Sequence, residues 1–203
     1  MKSIAIEREF GSGGHEIGVL TAKLLGVPCY DGELLLDTAE HSGVDLAHLR
    51  NFDERQAGSL LYDLALAVNP NQYSERTRLY EMFEAVQQTA RRLAADGPAV
   101  FIGHCCTEAL SGKNGAAALR VFLYASDTGH RVRRVMQTEH VDEGEARRMM
   151  RRKDKEREQY FRYFTQKLWG DRANYDLQLN TSTMSVQKCA RILADIARSA
   201  DET

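Results

Sequence analysis

Glycines at 11, 13 and 14 stand between a short apolar run and an amphipathic helix pattern, and this junction constrains the fold more than any other feature. Lys2 to Glu7 reads as a strand ending in charge. Ile17, Leu20, Leu24 and Leu25 recur at helical spacing over Glu16 to Leu25, and the pattern stops at Gly26. Val27 to Tyr30 is a second apolar run. Strand, glycine-rich loop, helix, strand is the opening of an α/β fold.

The rest of the chain continues that alternation. Residues 31–96 read as mainly helical, with a break at Asn69-Pro70-Asn71 and a long amphipathic helix from Glu75 to Ala95. Ala99 to Ile102, bounded by Pro98 and Gly103, and Leu119 to Ala125 are continuous apolar runs, as in parallel strands buried on both faces. Helices are predicted from Asp127 to Glu139, from Asp142 to Leu168 and from Ser185 to Ala197, with an alternating strand at Tyr175 to Leu179. The closing helix turns Val186, Cys189, Ile192, Leu193 and Ile196 inward. Strands separated by helices pair in parallel, and a ligand then sits at their carboxyl ends. The glycine-rich loop, Gly103-His104 and Ser126-Asp127 all fall there.

Composition excludes several classes. The 203 residues suit one compact domain, and 27 basic against 29 acidic residues give a net charge of −2, which weighs against a dedicated nucleic-acid coat. No apolar run approaches the roughly 20 residues of a membrane helix. Glu7, Arg8 and Glu9 break the N-terminal apolar stretch, unlike a signal peptide, so a cytoplasmic protein is expected. Cys29, Cys105, Cys106 and Cys189 are too few and too scattered for a disulfide scaffold and read as buried thiols.

Glycines 11, 13 and 14 let backbone N–H groups turn toward a bound anion, and the following helix N-terminus favours negative charge. The loop departs from the Walker A pattern G-x-x-x-x-G-K-[ST]: Arg8 stands at the first glycine, Gly14 at the lysine, and His15 and Glu16 follow. Ser12 is the candidate hydroxyl for a metal ion, and Arg8 or His15 the candidate positive charge. Arg147, Arg148, Arg151, Arg152 and Lys155 recur along one helix face. They read as a solvated face paired with nearby carboxylates, as a lid whose cations close over phosphates, or as a nucleic-acid contact, which the near-neutral overall charge weighs against. Tyr160, Phe161, Tyr163 and Phe164 follow, at a density that suits packing better than base stacking. Arg131 and Arg134 lie one helical turn apart beyond the strand ending at Ala125.

The runs IAIEREFGSGGHEIG, VPCYD, AVFIGH, LRVFLYAS and KLWGDRANYDLQLNTS resemble the cytidylate kinase-like family, a branch of the nucleoside monophosphate kinases within the P-loop NTPase fold. The resemblance implies an adenylate-kinase-like, five-stranded parallel sheet flanked by helices. It implies a single kinase-like domain with core segments 1–30, 97–140 and 172–203, an acceptor-binding region at 31–96 and a lid at 141–171. ATP with Mg²⁺ would be the donor and a pyrimidine monophosphate such as CMP the acceptor. Arg8, Gly11, Ser12, Gly13, Gly14, His15 and Glu16 would hold ATP phosphates. Gly103-His104 stands where cytidylate kinases carry a Gly-Arg pair for the acceptor phosphate, and Asp31 falls where such folds meet the acceptor. Arg131 and Arg134 match family arginines, and Lys153-Asp154 is the nearest match to an Arg-Asp lid motif. Arg131, Arg134, Arg152, Lys155 and Arg157 would then stabilise the transferring charge. A catalytically impaired nucleotide-binding module is the alternative, and a homodimer through helices of 31–96 remains open.

Overall fold

A computed structural model describes residues 1–32, 73–112 and 117–199. The expected break at Asn69-Pro70-Asn71 and most of the 31–96 region lie outside the described residues. Five strands form one parallel sheet: β1 (Ser3–Arg8), β2 (Cys29–Tyr30), β3 (Val100–Ile102), β4 (Ala118–Tyr124) and β5 (Leu177–Asn180), in the order β2-β3-β1-β4-β5. β1 is central, with Ile4 opposite Val100 on one side and Leu119 on the other. The helices are α1 (Gly14–Leu25), α2 (Tyr73–Asp96), α3 (Cys106–Ala109), α4 (Thr128–Glu139), α5 (Glu143–Thr165) and α6 (Val186–Ser199).

The pleat of β1 sorts its side chains between two layers. Ile4 and Ile6 join Ile17 of α1 and Cys189, Ala190 and Leu193 of α6 on one face. Ala5 joins Val86 and Ala90 of α2 and Cys106 and Ala109 of α3 on the other. Both faces are covered, which is why the strands are apolar without interruption. On α6, Cys189 and Leu193 point inward as expected, but Ala190, Ala194 and Ala197 complete the buried face while Ile192 and Ile196 are only half-buried. Small side chains there let α6 lie close to the sheet and to α1.

Gly18 shows how close that layer is. A Cβ at Gly18 would stand 2.5 Å from Ile102 Cδ1 and 3.3 Å from Ile6 Cδ1. Overpacking costs about 1–3 kcal/mol and the helix-propensity gain of alanine returns about 1. Gly18→Ala is therefore expected to destabilise the fold by up to about 2 kcal/mol, measured by urea denaturation; an unchanged midpoint would mean that Ile102 rotates away freely.

The last strand begins two residues later than its alternation predicts. Arg172–Asn174 form a 3-10 turn whose first amides are capped by Asp171, with Oδ1 accepting from Ala173 N at 3.0 Å. Tyr175 closes that turn and lays its ring 5.0 Å from that of Phe122. Asp176 then clips the β4 edge, accepting from Arg120 N at 2.9 Å and from Arg120 Nη2 at 2.5 Å.

α5 packs against α2 and α4. Rings of Phe83 and Phe164 stack at 4.1 Å, and Tyr160 and Phe161 are buried beside them, so the aromatics behind the basic tract are packing residues. Val132 and Val135 of α4 meet Ala146 and Met150 of α5, with Phe10 of the glycine-rich loop against them. The loop therefore sits where the sheet and α5 converge. Among the described residues no helix is long and apolar enough to cross a membrane.

Candidate active site

The loop leaves β1 at Arg8 and enters α1 at Gly14. Gly11 has φ +79°, and a Cβ there would stand 2.8 Å from Val135 Cγ2 and 3.1 Å from Arg131 O. Backbone conformation and space both demand glycine. Gly13 caps α1 at φ +82° with no side-chain cap, so the first-turn N–H groups are not claimed by a capping side chain. That is the anion-favouring arrangement the glycine pattern predicts.

Ser12 does not serve the cleft as expected. Its side chain is buried and Oγ donates to Glu9 O at 2.8 Å, closing the loop on itself. Ser12 is absent from the cleft wall. Its hydroxyl hydrogen is thus committed to the loop itself, and among the described residues no group of three or more His, Cys, Asp or Glu stands together.

Charged side chains from distant segments brace the loop. Glu9 Oε2 accepts from Ala125 N at 2.9 Å and lies 3.3 Å from Arg131 Nη1. Arg131 Nε donates to Phe10 O at 2.8 Å, and its Nη2 is ion-paired with Asp154. Asp154 Oδ1 accepts from Phe10 N at 2.7 Å. Arg157 Nη1 donates to Arg8 O at 3.0 Å, and its guanidinium lies 5.8 Å from the centre of the Phe10 ring. One helix, α5, therefore grips the loop at Arg8 and Phe10 and holds Arg131 of α4 against it. Burial raises the Glu9 carboxyl above its ordinary range; the Ala125 amide and Arg131 oppose this, and Asp154 adds to it.

Above the loop opens a cleft of about 390 Å³. Its wall includes Arg8, Gly11, Gly13, Gly14, His15, Glu16, Arg134 and Arg157. Arg134 crosses the loop so closely that a Cβ at Gly13 would stand 3.2 Å from its Cζ, and it pairs with Glu16.

The expected arginine cluster thus divides. Arg134 and Arg157 line the cleft. Arg131 is buried beneath it with two carboxylates and a carbonyl, so it braces the loop rather than facing a phosphate. Arg152 lies 3.8 Å from Glu156, Lys155 is exposed, and neither lines the cleft. Arg147 and Arg148 pair with Glu143 and Glu145, which is the solvated-face reading.

The acceptor candidates come together on the other side of the loop. His15 Nε2 lies 3.3 Å from Asp31 Oδ2, linking α1 to the segment after β2. A Cβ at Gly32 would stand 2.0 Å from His104 Nε2, so the ring is packed directly under Gly32. Gly103, His104 and Cys105 all have positive φ, at 80°, 53° and 56°. Two non-glycine residues in that region cost of order 1–3 kcal/mol each. Gln87 Nε2 donates to His104 O at 2.8 Å and Cys105 N donates to Glu7 Oε1 at 3.1 Å, which hold the strained turn. No local pattern in the sequence marks Glu7, Glu9 or Gln87 as partners of the site. Asp154 belongs with Lys153 to the lid-motif match, and its place on the inward stripe of α5 with Ala146, Met150 and Phe161 marks it as a carboxylate that meets the core.

A parallel sheet in this order, with a glycine-rich loop at the end of its central strand and arginines over it, has the form of the P-loop kinases. The model of the cytidylate kinase-like family matches residues 3–183, and the chain belongs to that family. A protein of solved structure from Eubacterium ventriosum is 25% identical, with a TM-score of 0.73, and the match covers 98% of this chain and 99% of that one. A gluconokinase from Sinorhizobium meliloti, 16% identical with a TM-score of 0.54, covers 99% of this chain and 94% of its own and shares the fold. No curated protein matches the chain. Family and fold together support nucleotide-kinase phosphoryl transfer in general.

Proposed function

We propose that the protein moves the γ-phosphoryl group of ATP to a nucleoside monophosphate, CMP or a similar small acceptor. The observation that carries this reading is the cleft over the glycine-rich loop, with Arg134 and Arg157 on its wall. Backbone N–H groups from Gly11 to Gly14 would cradle the phosphates, and Arg134 and Arg157 would neutralise charge that develops in transfer. His15 and Glu16 flank that cradle, and Arg131 keeps it in shape from below. Gly103, His104 and Asp31 lie on the side where the acceptor would enter. Transfer needs little covalent help from the chain, because position and electrostatics supply most of the rate. Magnesium would arrive on the phosphates of ATP and neutralise their charge.

In this reading 31–96 binds the acceptor, 141–171 forms the lid and the other segments form the core of one domain. The contacts of α5 with Arg8, Phe10 and Arg131 support the lid assignment. The reaction would run in the cytoplasm, on ATP supplied there.

The test is ADP formation by the purified chain with Mg²⁺-ATP and a panel of nucleoside monophosphates and small hydroxyl acceptors. Acceptor-dependent ADP, highest with CMP, is expected. Gly14 in place of a lysine favours a second reading, a nucleotide-binding module without turnover. Intact ATP binding with no ADP from any acceptor would establish that reading instead.

A further inference from the structure

We propose that Arg8 supplies the cation that a lysine at position 14 supplies in Walker A loops, and that Arg8 and Gly14 are the two halves of one steric exchange. The inference rests on the phosphoryl-transfer reading above and names the residue that completes its donor site.

The Walker A pattern places glycine at 8 and lysine at 14; this chain has Arg8 and Gly14. A Cβ built at Gly14 would stand 2.5 Å from Arg8 Cβ and 2.8 Å from Arg8 Cγ. Those atoms are the root of the arginine side chain and cannot swing aside as its tip could. Gly14 is not among the glycines with positive φ, so space alone, and not backbone conformation, requires glycine there. Only one of positions 8 and 14 can carry a side chain. The chain that Arg8 carries therefore leaves the backbone within 3 Å of where a lysine at 14 would leave it, and Arg8 lines the same cleft as Arg134 and Arg157.

The rival cation is His15, which is exposed and lies 3.3 Å from Asp31. Arginine at position 8 offers a planar fork of donors suited to phosphate oxygens.

The experiment is calorimetric titration of Mg²⁺-ATP into the full chain, with melting temperatures recorded, for wild type, Arg8→Met, Arg8→Gly, Gly14→Lys and the double variant Arg8→Gly/Gly14→Lys. Arg8→Met keeps the stem and removes the charge, so it tests the cation without new atoms near Gly14. Loss of a charged hydrogen bond predicts about 10- to 100-fold weaker ATP binding for it. Gly14→Lys alone is expected to lower the melting temperature and weaken ATP binding. The double variant is expected to recover binding to within about threefold of wild type, since lysine then has the space that glycine at 8 vacates. Wild-type affinity in Arg8→Met overturns the proposal, as does a folded double variant that binds no better than Arg8→Gly. Should the double variant not fold, Arg8→Met decides. Failure of the transfer reading looks different: Arg8→Met weakens ATP binding as expected, yet no acceptor yields ADP.

Discussion

Asp154→Ala is expected to lower the melting temperature by about 5–15 °C and to weaken ATP binding at the same time. Asp154 accepts from Phe10 N at 2.7 Å and pairs with Arg131, whose side chain is only 10% exposed. Truncation leaves a backbone donor without its acceptor and a nearly buried guanidinium with Glu9 as its remaining ion-pair partner among the described residues. Breaking a fully buried pair costs 3–5 kcal/mol. Asp154 itself keeps 23% of its side-chain surface, so about 2–4 kcal/mol is the better expectation. For a chain of this size each kcal/mol moves the midpoint by about 2–4 °C. Asp154→Asn should recover part of the loss, because an amide oxygen can still accept from Phe10 N. Thermal melting of the three proteins checks this. A melting curve for Asp154→Ala that overlays wild type would mean the loop holds its shape without α5.

Arg134→Ala is expected to leave the fold intact and to reduce turnover by about 10²–10³-fold, the range seen when one preorganised charge or donor is removed from a transition state. Arg134 lies across Gly13 on the cleft wall, and its partner Glu16 is 56% exposed, so the pair contributes little to stability. Steady-state kinetics with the best acceptor of the panel should show kcat and kcat/KM falling together, the mark of an interaction made in the transition state. Arg134→Lys should restore part of the rate. A rise in KM for ATP with kcat unchanged would assign Arg134 to binding of the ground state and remove it from the transfer step.

These two residues show what could be read in advance. Arg131 and Arg134 occupy equivalent places in the sequence pattern, one turn apart on an amphipathic helix. Their roles differ because Glu9 and Asp154 reach Arg131 from 122 positions upstream and 23 downstream, while Arg134 pairs with Glu16 and lies over the bare backbone of Gly13. No local spacing carries that information. The solvated pairing of Arg147 and Arg148, by contrast, was legible, since i, i+3 and i, i+4 carboxylates stand beside them. The short helix Cys106–Ala109 escaped notice, as did the 3-10 turn before β5, because elements of three or four residues leave no periodicity to detect.

By itself the sequence determined the sheet-forming runs, the glycine-rich loop at the end of the first of them and the helices between, since these rest on hydrophobic period and on glycine's freedom over a few neighbouring residues. The quoted motifs also carried the family. Only the tertiary structure decided which cations face the cleft, that the Ser12 hydroxyl donates to Glu9 O, that α5 grips Phe10, and that Arg8 fills the space beside Gly14. Each of those is a contact between atoms on separate elements, where a difference of an ångström in approach decides between a clash, a hydrogen bond and an open site.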